Sequence, residues 1–75
     1  MRTEFSILTL QLAQKAIIHH YSDEKISSKL ISMGMLPGSV IEVVRKAPFG
    51  GALYIKVNGF SFALRENEAA TIIVE

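Results

Sequence analysis

The sequence predicts a mainly β fold, a small barrel of five short strands with one short helix at about residues 23–33, after the first strand. Three observations predict it. Asn58-Gly59 separates two alternating runs, Leu53–Val57 and Phe60–Leu64, which is the strongest short-range hairpin signal a sequence carries. β-Branched and aromatic residues fill Lys15–Tyr21, Val40–Lys46 and Thr71–Val74. Between the first two of these, Ile26, Leu30 and Met33 fall at i, i+4 and i+7 and form one helical stripe.

Taken in order, Phe5–Leu12 mixes apolar and polar residues and reads as an entry strand or a single helical turn. Lys15–Tyr21 (KAIIHHY) reads as a strand. Ser22-Asp23 offers a helix N-cap, and Glu24 favours a first turn. Gly34 stands where the helix must stop, and in such a cap Met35 contacts Leu30. Pro37-Gly38 is the pair that a type II turn prefers at its centre. Val40–Lys46 is the next strand, and Pro48-Phe49-Gly50-Gly51 is a loop. A two-residue type I′ turn at Asn58-Gly59 then pairs Val57 with Phe60, Ile55 with Phe62 and Leu53 with Leu64, all six on one face. Tyr54 and Lys56 point to the other face. Arg65–Ala70 is a short turn of 3₁₀ or α type, and Thr71–Val74 closes the fold with Ile72 and Val74 inward. Strands this short need closure to protect their edges, and an SH3-like barrel provides it; an OB-like barrel is the competitor, with longer strands and a longer chain.

Composition narrows the function. Seventy-five residues make one domain, expected over 1–75, whose core supplies only about 3–5 kcal/mol of net stability. There is no cysteine, so disulfides and thiolate metal sites are excluded, and a reducing, cytoplasmic setting is expected. MRTEFSILTL lacks a continuous apolar stretch and a small-residue cleavage site, so no signal peptide is expected. No apolar run approaches the roughly 20 residues that span a bilayer. Eight basic and seven acidic residues are dispersed, with one adjacent basic pair, Arg45-Lys46, whereas nucleic-acid binders cluster their positive charge. The apolar fraction of 49% and mean hydropathy of +0.32 leave surplus apolar surface for a partner or for self-association.

The stretch LISMGMLPGSVIEVVRKAPFGG (Leu30–Gly51), the hairpin, and LRENEAATIIVE (Leu64–Glu75) together resemble the ferrous iron transport protein A family, FeoA. The resemblance rests on Met33-Gly34-Met35-Leu36-Pro37-Gly38, Arg45-Lys46-Ala47-Pro48-Phe49-Gly50, and Leu64-Arg65 with Glu68-Ala69, in that order. The N-terminal third matches in pattern only. The resemblance implies a stand-alone SH3-like cytoplasmic accessory protein acting with FeoB, the membrane transporter that imports ferrous iron and carries a GTP-binding domain. It implies no enzyme activity. A related barrel forms the C-terminal domain of iron-dependent repressors of the diphtheria-toxin-repressor type, below a helix-turn-helix domain. One loop departs from the family pattern: where members often carry Asp-Pro, this chain reads Gly51-Ala52, so no role of that Asp transfers to Gly51.

No catalytic constellation is visible: no Ser/His/Asp arrangement, no paired carboxylates, and no phosphate-cradling glycine loop before a helix. No cofactor site is expected. His19 and His20 are the only histidines, and adjacent strand residues point to opposite faces, so no metal site is expected from them. The expected partner-binding residues are Leu30, Met35, Leu36, Arg45, Lys46, Phe49 and Tyr54. Phe49 has two readings, a partner anchor or a lid folded back over an open barrel end, with packing density favouring the lid. Met33, on the helical stripe, is expected in the core; Met35 and Leu36 are open between core and contact. Arg45-Lys46 can meet acidic groups, and Tyr54 is an interface aromatic. The function expected is therefore binding and modulation of the FeoB transporter, at the inner face of the membrane and without insertion into it. The alternatives are a nucleic-acid-binding barrel, whose gel shift would be salt-dependent, and a transition-metal sensor or metallochaperone.

Overall fold

The structure is a computed structural model that describes residues 4–75. Residues 1–3 of the expected domain and of the MRTEFSILTL segment lie outside the described residues. The chain forms β1 (Phe5–Ser6), β2 (Lys15–Tyr21), α1 (Glu24–Ser32), β3 (Val40–Lys46), β4 (Ala52–Val57), β5 (Phe60–Arg65), α2 (Glu66–Ala69) and β6 (Ile72–Val74). Single 3₁₀ turns occupy Ile7–Thr9 and Pro48–Gly50. The strands form one antiparallel sheet in the order β1-β6-β2-β3-β4-β5.

Among the described residues six strands replace the expected five, because the N-terminal stretch does two things at once. Phe5 and Ser6 pair with Val74 and Ile73 of β6, and the Ser6 side chain then accepts from Leu8 N–H at 3.2 Å and turns the chain into the 3₁₀ segment. That segment delivers Ile7 and Leu10, 0% and 1% exposed, to the core. β6, the shortest strand after β1, therefore lies between β1 and β2 and places Ile72 and Val74 in the same core. The sheet wraps around a single apolar cluster that draws buried residues from β2 through β6, from α1 and α2, and from the 3₁₀ segment. Among the described residues no polar or charged residue is buried in it.

Local chemistry sets the helix ends where the sequence places them. Asp23 Oδ1 accepts from the N–H groups of Lys25 and Ile26 at 2.9 and 3.1 Å, so the first orphan donors of α1 are satisfied. At the other end, Gly34 N–H bonds the Ile31 carbonyl and Met35 N–H bonds the Leu30 carbonyl at 2.9 and 3.0 Å. Those two bonds define a Schellman cap, with the Leu30–Met35 apolar contact that accompanies it. Both side chains are fully buried. Met33 does not reach the core. The helix ends at Ser32, Met33 takes the cap position, and its side chain is 41% exposed.

The β4–β5 register is Val57 to Phe60, Ile55 to Phe62 and Leu53 to Leu64, as the turn chemistry requires. Asn58 and Gly59 have φ of 51° and 84°, the two positive values of a type I′ turn. The apolar face is continuous only in part: Leu53, Ile55, Val57 and Leu64 are buried, Phe62 is half-buried and Phe60 is 70% exposed. Two strands are irregular. β3 pairs Val43 with Ile55 and then Arg45 with Tyr54, so Val44 is an inserted residue. β2 pairs Ile18 with Val74 and then His20 with Ile73, so His19 is inserted. Each is a β-bulge, and a bulge resets which side chains share a face.

α2 is tied to both neighbours by one carboxylate. Glu68 accepts from the Arg65 backbone N–H at 3.1 Å and from Lys29 Nζ of α1 at 2.5 Å. The Lys29 hydrogen bond, helped by the Arg65 N–H, holds the Glu68 carboxyl below its ordinary range. Lys29 is 60% exposed, so solvent screens the pair and it contributes under about 1 kcal/mol. Among the described residues no helix is long and apolar enough to cross a membrane.

Candidate partner-binding face

Of the seven residues expected to meet a partner, the structure places four on or beside the β3–β4 end of the sheet. The bulge at Val44 puts Arg45, not Val44, opposite Tyr54. The Arg45 guanidinium then lies over the Tyr54 ring, 5.3 Å from its centroid, within the range of a cation–π contact. Beside it, Val44, Tyr54, Phe62 and Ala63 line a shallow apolar groove. Val44 is 51% exposed and was not legible as a contact residue, because its exposure is a consequence of the bulge.

Lys46 ends β3 and lines a second recess with Leu8, Ala47, Gly50 and Glu66. Between the two strands, Ala47 N–H bonds the Ala52 carbonyl at 2.8 Å and closes the loop at its base. Phe49 stands at the tip. It does not fold over the barrel end: its side chain is 105% exposed, so the lid reading is overturned. Its backbone also has φ of 62°, the left-handed region that bulky residues avoid. Such strain persists only where the surrounding structure holds it. Gly50, the next residue, also has a positive φ, and a Cβ added to it would fall 2.5 Å from Glu66 Oε2, so the loop tip carries two successive left-handed residues and the second has little room for a side chain.

Leu30 and Met35 are corrected. Both are 0% exposed, consumed by the helix cap, and offer nothing to a partner. Leu36, one residue further, is 48% exposed. A third apolar recess, lined by Met33, Gly34, Phe60 and Phe62, adjoins the hairpin tip, and the sequence reading missed it because Met33 and Phe60 were both assigned inward.

The histidines are the other correction. The bulge in β2 destroys the alternation that would have kept them apart. Their Nδ1 atoms are 2.6 Å apart, with the rings edge to face at 78°. Glu4 Oε2, just ahead of β1, lies 2.8 Å from His19 Nδ1. The sequence carried no local sign of this carboxylate, which reaches the histidines through the pairing of β1 and β2 to opposite sides of β6.

A family model described as the FeoA domain matches residues 5–75. The chain belongs to the FeoA family. Its solved relatives agree. A FeoA-like protein from Clostridium acetobutylicum is 28% identical, with a TM-score of 0.88 over 100% of this chain and 88% of that one. A protein described as an iron uptake regulatory protein (FeoA) is 25% identical, with a TM-score of 0.83 over 99% and 97% of the two chains. FeoA from Stenotrophomonas maltophilia, a prokaryotic SH3-domain protein in complex with zinc, is 26% identical, with a TM-score of 0.80 over 95% and 89%. The mainly β, SH3-like fold and the link to ferrous iron transport follow from that membership. FeoA proteins are accessory iron-transport domains, not a known enzyme class.

Proposed function

We propose that this FeoA-family protein is an accessory of ferrous iron uptake that binds the cytoplasmic part of a FeoB-type transporter and modulates it through protein–protein contacts. The observation that carries the reading is Phe49: a large apolar side chain, fully exposed and held at φ 62° on a loop tip. Exposed and strained, it adds nothing to the core, and a residue of that kind is suited to fill a pocket on a partner. Around it, Arg45 over Tyr54 and the Val44 groove supply the aromatic and arginine chemistry in which interface cores are enriched.

The test uses the full chain against a FeoB transporter in nanodiscs and against its isolated cytoplasmic part. Binding is expected to both, and Phe49→Ala is expected to weaken it at least about tenfold, a loss of roughly 1.4 kcal/mol. Absence of binding to the transporter in membrane, together with normal iron uptake in a deletion strain, would overturn the proposal.

A further inference from the structure

The geometry points to a divalent transition-metal site on the surface of this barrel, formed by Glu4, His19 and His20. It stands apart from the transporter reading and shares no residue with the Phe49 face.

The inserted residue of β2 is the origin of the site. In a regular strand His19 and His20 would project from opposite faces. At the bulge the pairing advances two residues on β2 for one on β6, and both imidazoles turn to the same place. Glu4 enters from the far side of β6, since β1 and β2 flank that strand. The result is one donor atom from each of three residues, all within 4.8 Å of one another.

Proton accounting shows why a cation suits this arrangement. His19 Nδ1 faces Glu4 Oε2 at 2.8 Å and His20 Nδ1 at 2.6 Å. A ring nitrogen carries at most one proton. If that proton points at Glu4, the His19 nitrogen has no lone pair left to accept from His20; if the proton is absent, the nitrogen can accept from His20 but faces the Glu4 carboxylate with no proton between them. One proton serves one of the two short contacts well. A divalent ion serves all three donors together.

The metric fit is close. Two imidazole nitrogens, each roughly 2.0–2.1 Å from a tetrahedral ion, stand about 3.3 Å apart. The Nδ1 atoms must therefore open from 2.6 Å by well under 1 Å, a small rotation of side chains that are exposed or half-exposed. Two imidazoles and one carboxylate are ligands for zinc, ferrous iron and their neighbours, with open positions left for water; magnesium prefers an all-oxygen octahedron.

Zinc chloride, and ferrous sulfate under anaerobic conditions, titrated into the full untagged chain in a calorimeter test this. One ion per chain is expected for each metal, with no binding of magnesium chloride. His20→Ala and Glu4→Gln are each expected to weaken zinc more than about tenfold, because loss of a ligand exceeds the 10–100-fold effect of disturbing its outer-shell supports. Both changes are at exposed residues, so both variants are expected to keep the fold, which circular dichroism checks. Cobalt(II) gives a second readout: its paramagnetic broadening of amide resonances is expected to centre on residues 4, 19 and 20. No binding of zinc or ferrous iron, equal binding of magnesium, affinity unchanged in both variants, or broadening centred elsewhere would each overturn the site.

Discussion

The β4–β5 hairpin and strand β2 are made of the same kinds of residue and obey different rules. In the hairpin, six successive pairs run from Ala52–Arg65 to Val57–Phe60 without a break. Alternation survives, and each side chain lies where its parity puts it. In β2 the ladder slips once, at His19, and parity fails from that point on. The hairpin supplies four buried side chains and most of the fold's regularity. The slipped strand instead brings chemically active groups together. β3 repeats the lesson in milder form, since its own slip at Val44 is what sets Arg45 over Tyr54. The interrupted strands still give Ile18, Ile41 and Val43 to the core, but it is at their slips that the surfaces with something to offer are built.

Four changes break or sharpen that contrast. The largest effect is expected from Ile55→Ala in the hairpin's buried face, where the side chain is 1% exposed. Truncating a buried isoleucine costs about 2–5 kcal/mol, comparable to the roughly 3–5 kcal/mol that a domain of this size holds. The variant should be largely unfolded at 25 °C by far-UV circular dichroism. Next comes Gly59→Ala at the hairpin turn. A Cβ there meets no atom within 4 Å, so the cost is purely the positive φ of 84°, about 1–2 kcal/mol, read as a lower urea midpoint with the slope unchanged.

On the slipped strand, Tyr21→Phe removes the hydroxyl that donates to the Met35 carbonyl at 2.5 Å and pins the end of β2 to the helix corner. The expected loss is about 1 kcal/mol. Burial also pushes the Tyr21 hydroxyl up to about 12. A phenol that is harder to ionise when folded stabilises the protein fully below its unfolded value, about 10, and loses that contribution as pH rises toward 12. The stability gap between wild type and Tyr21→Phe should therefore shrink between pH 10 and 12; a gap that widens there would show that the hydroxyl is not held as described. The smallest effect is expected from Phe49→Gly, which relieves a strained φ while loosening the unfolded chain. Stability should stay the same or rise by up to about 1 kcal/mol, even as transporter binding falls. A clear loss of stability would return Phe49 to a structural role.

Legibility in the sequence followed the range of the chemistry. The type I′ turn, the Asp23 cap and the Gly34 stop are decided within four or five residues, and each was readable from its own letters. Most of the failures involve a partner distant in sequence or an inserted residue. Val44 and His19 are ordinary strand residues, and nothing in their neighbourhood marks them as insertions. Met33 kept its helical phase on paper but lost it because the Schellman cap claims Met35 for the core instead. Glu4 reaches the histidines only through a sheet order that no local pattern contains. The second role of Phe5–Leu12 was visible only as an ambiguity between strand and turn, and the chain resolved it by using both.

The place of β6 also bears on how the protein is made. Ile72–Val74 is the last of these six strands to be synthesised, yet it lies between two of the first, β1 and β2. During translation α1 and the β4–β5 hairpin can form from local contacts alone, while β1 and β2 wait with open edges and the core lacks Ile72 and Val74. A nascent chain ending at Thr71 has no means of closing, so folding of this domain is completed only after synthesis has passed residue 74.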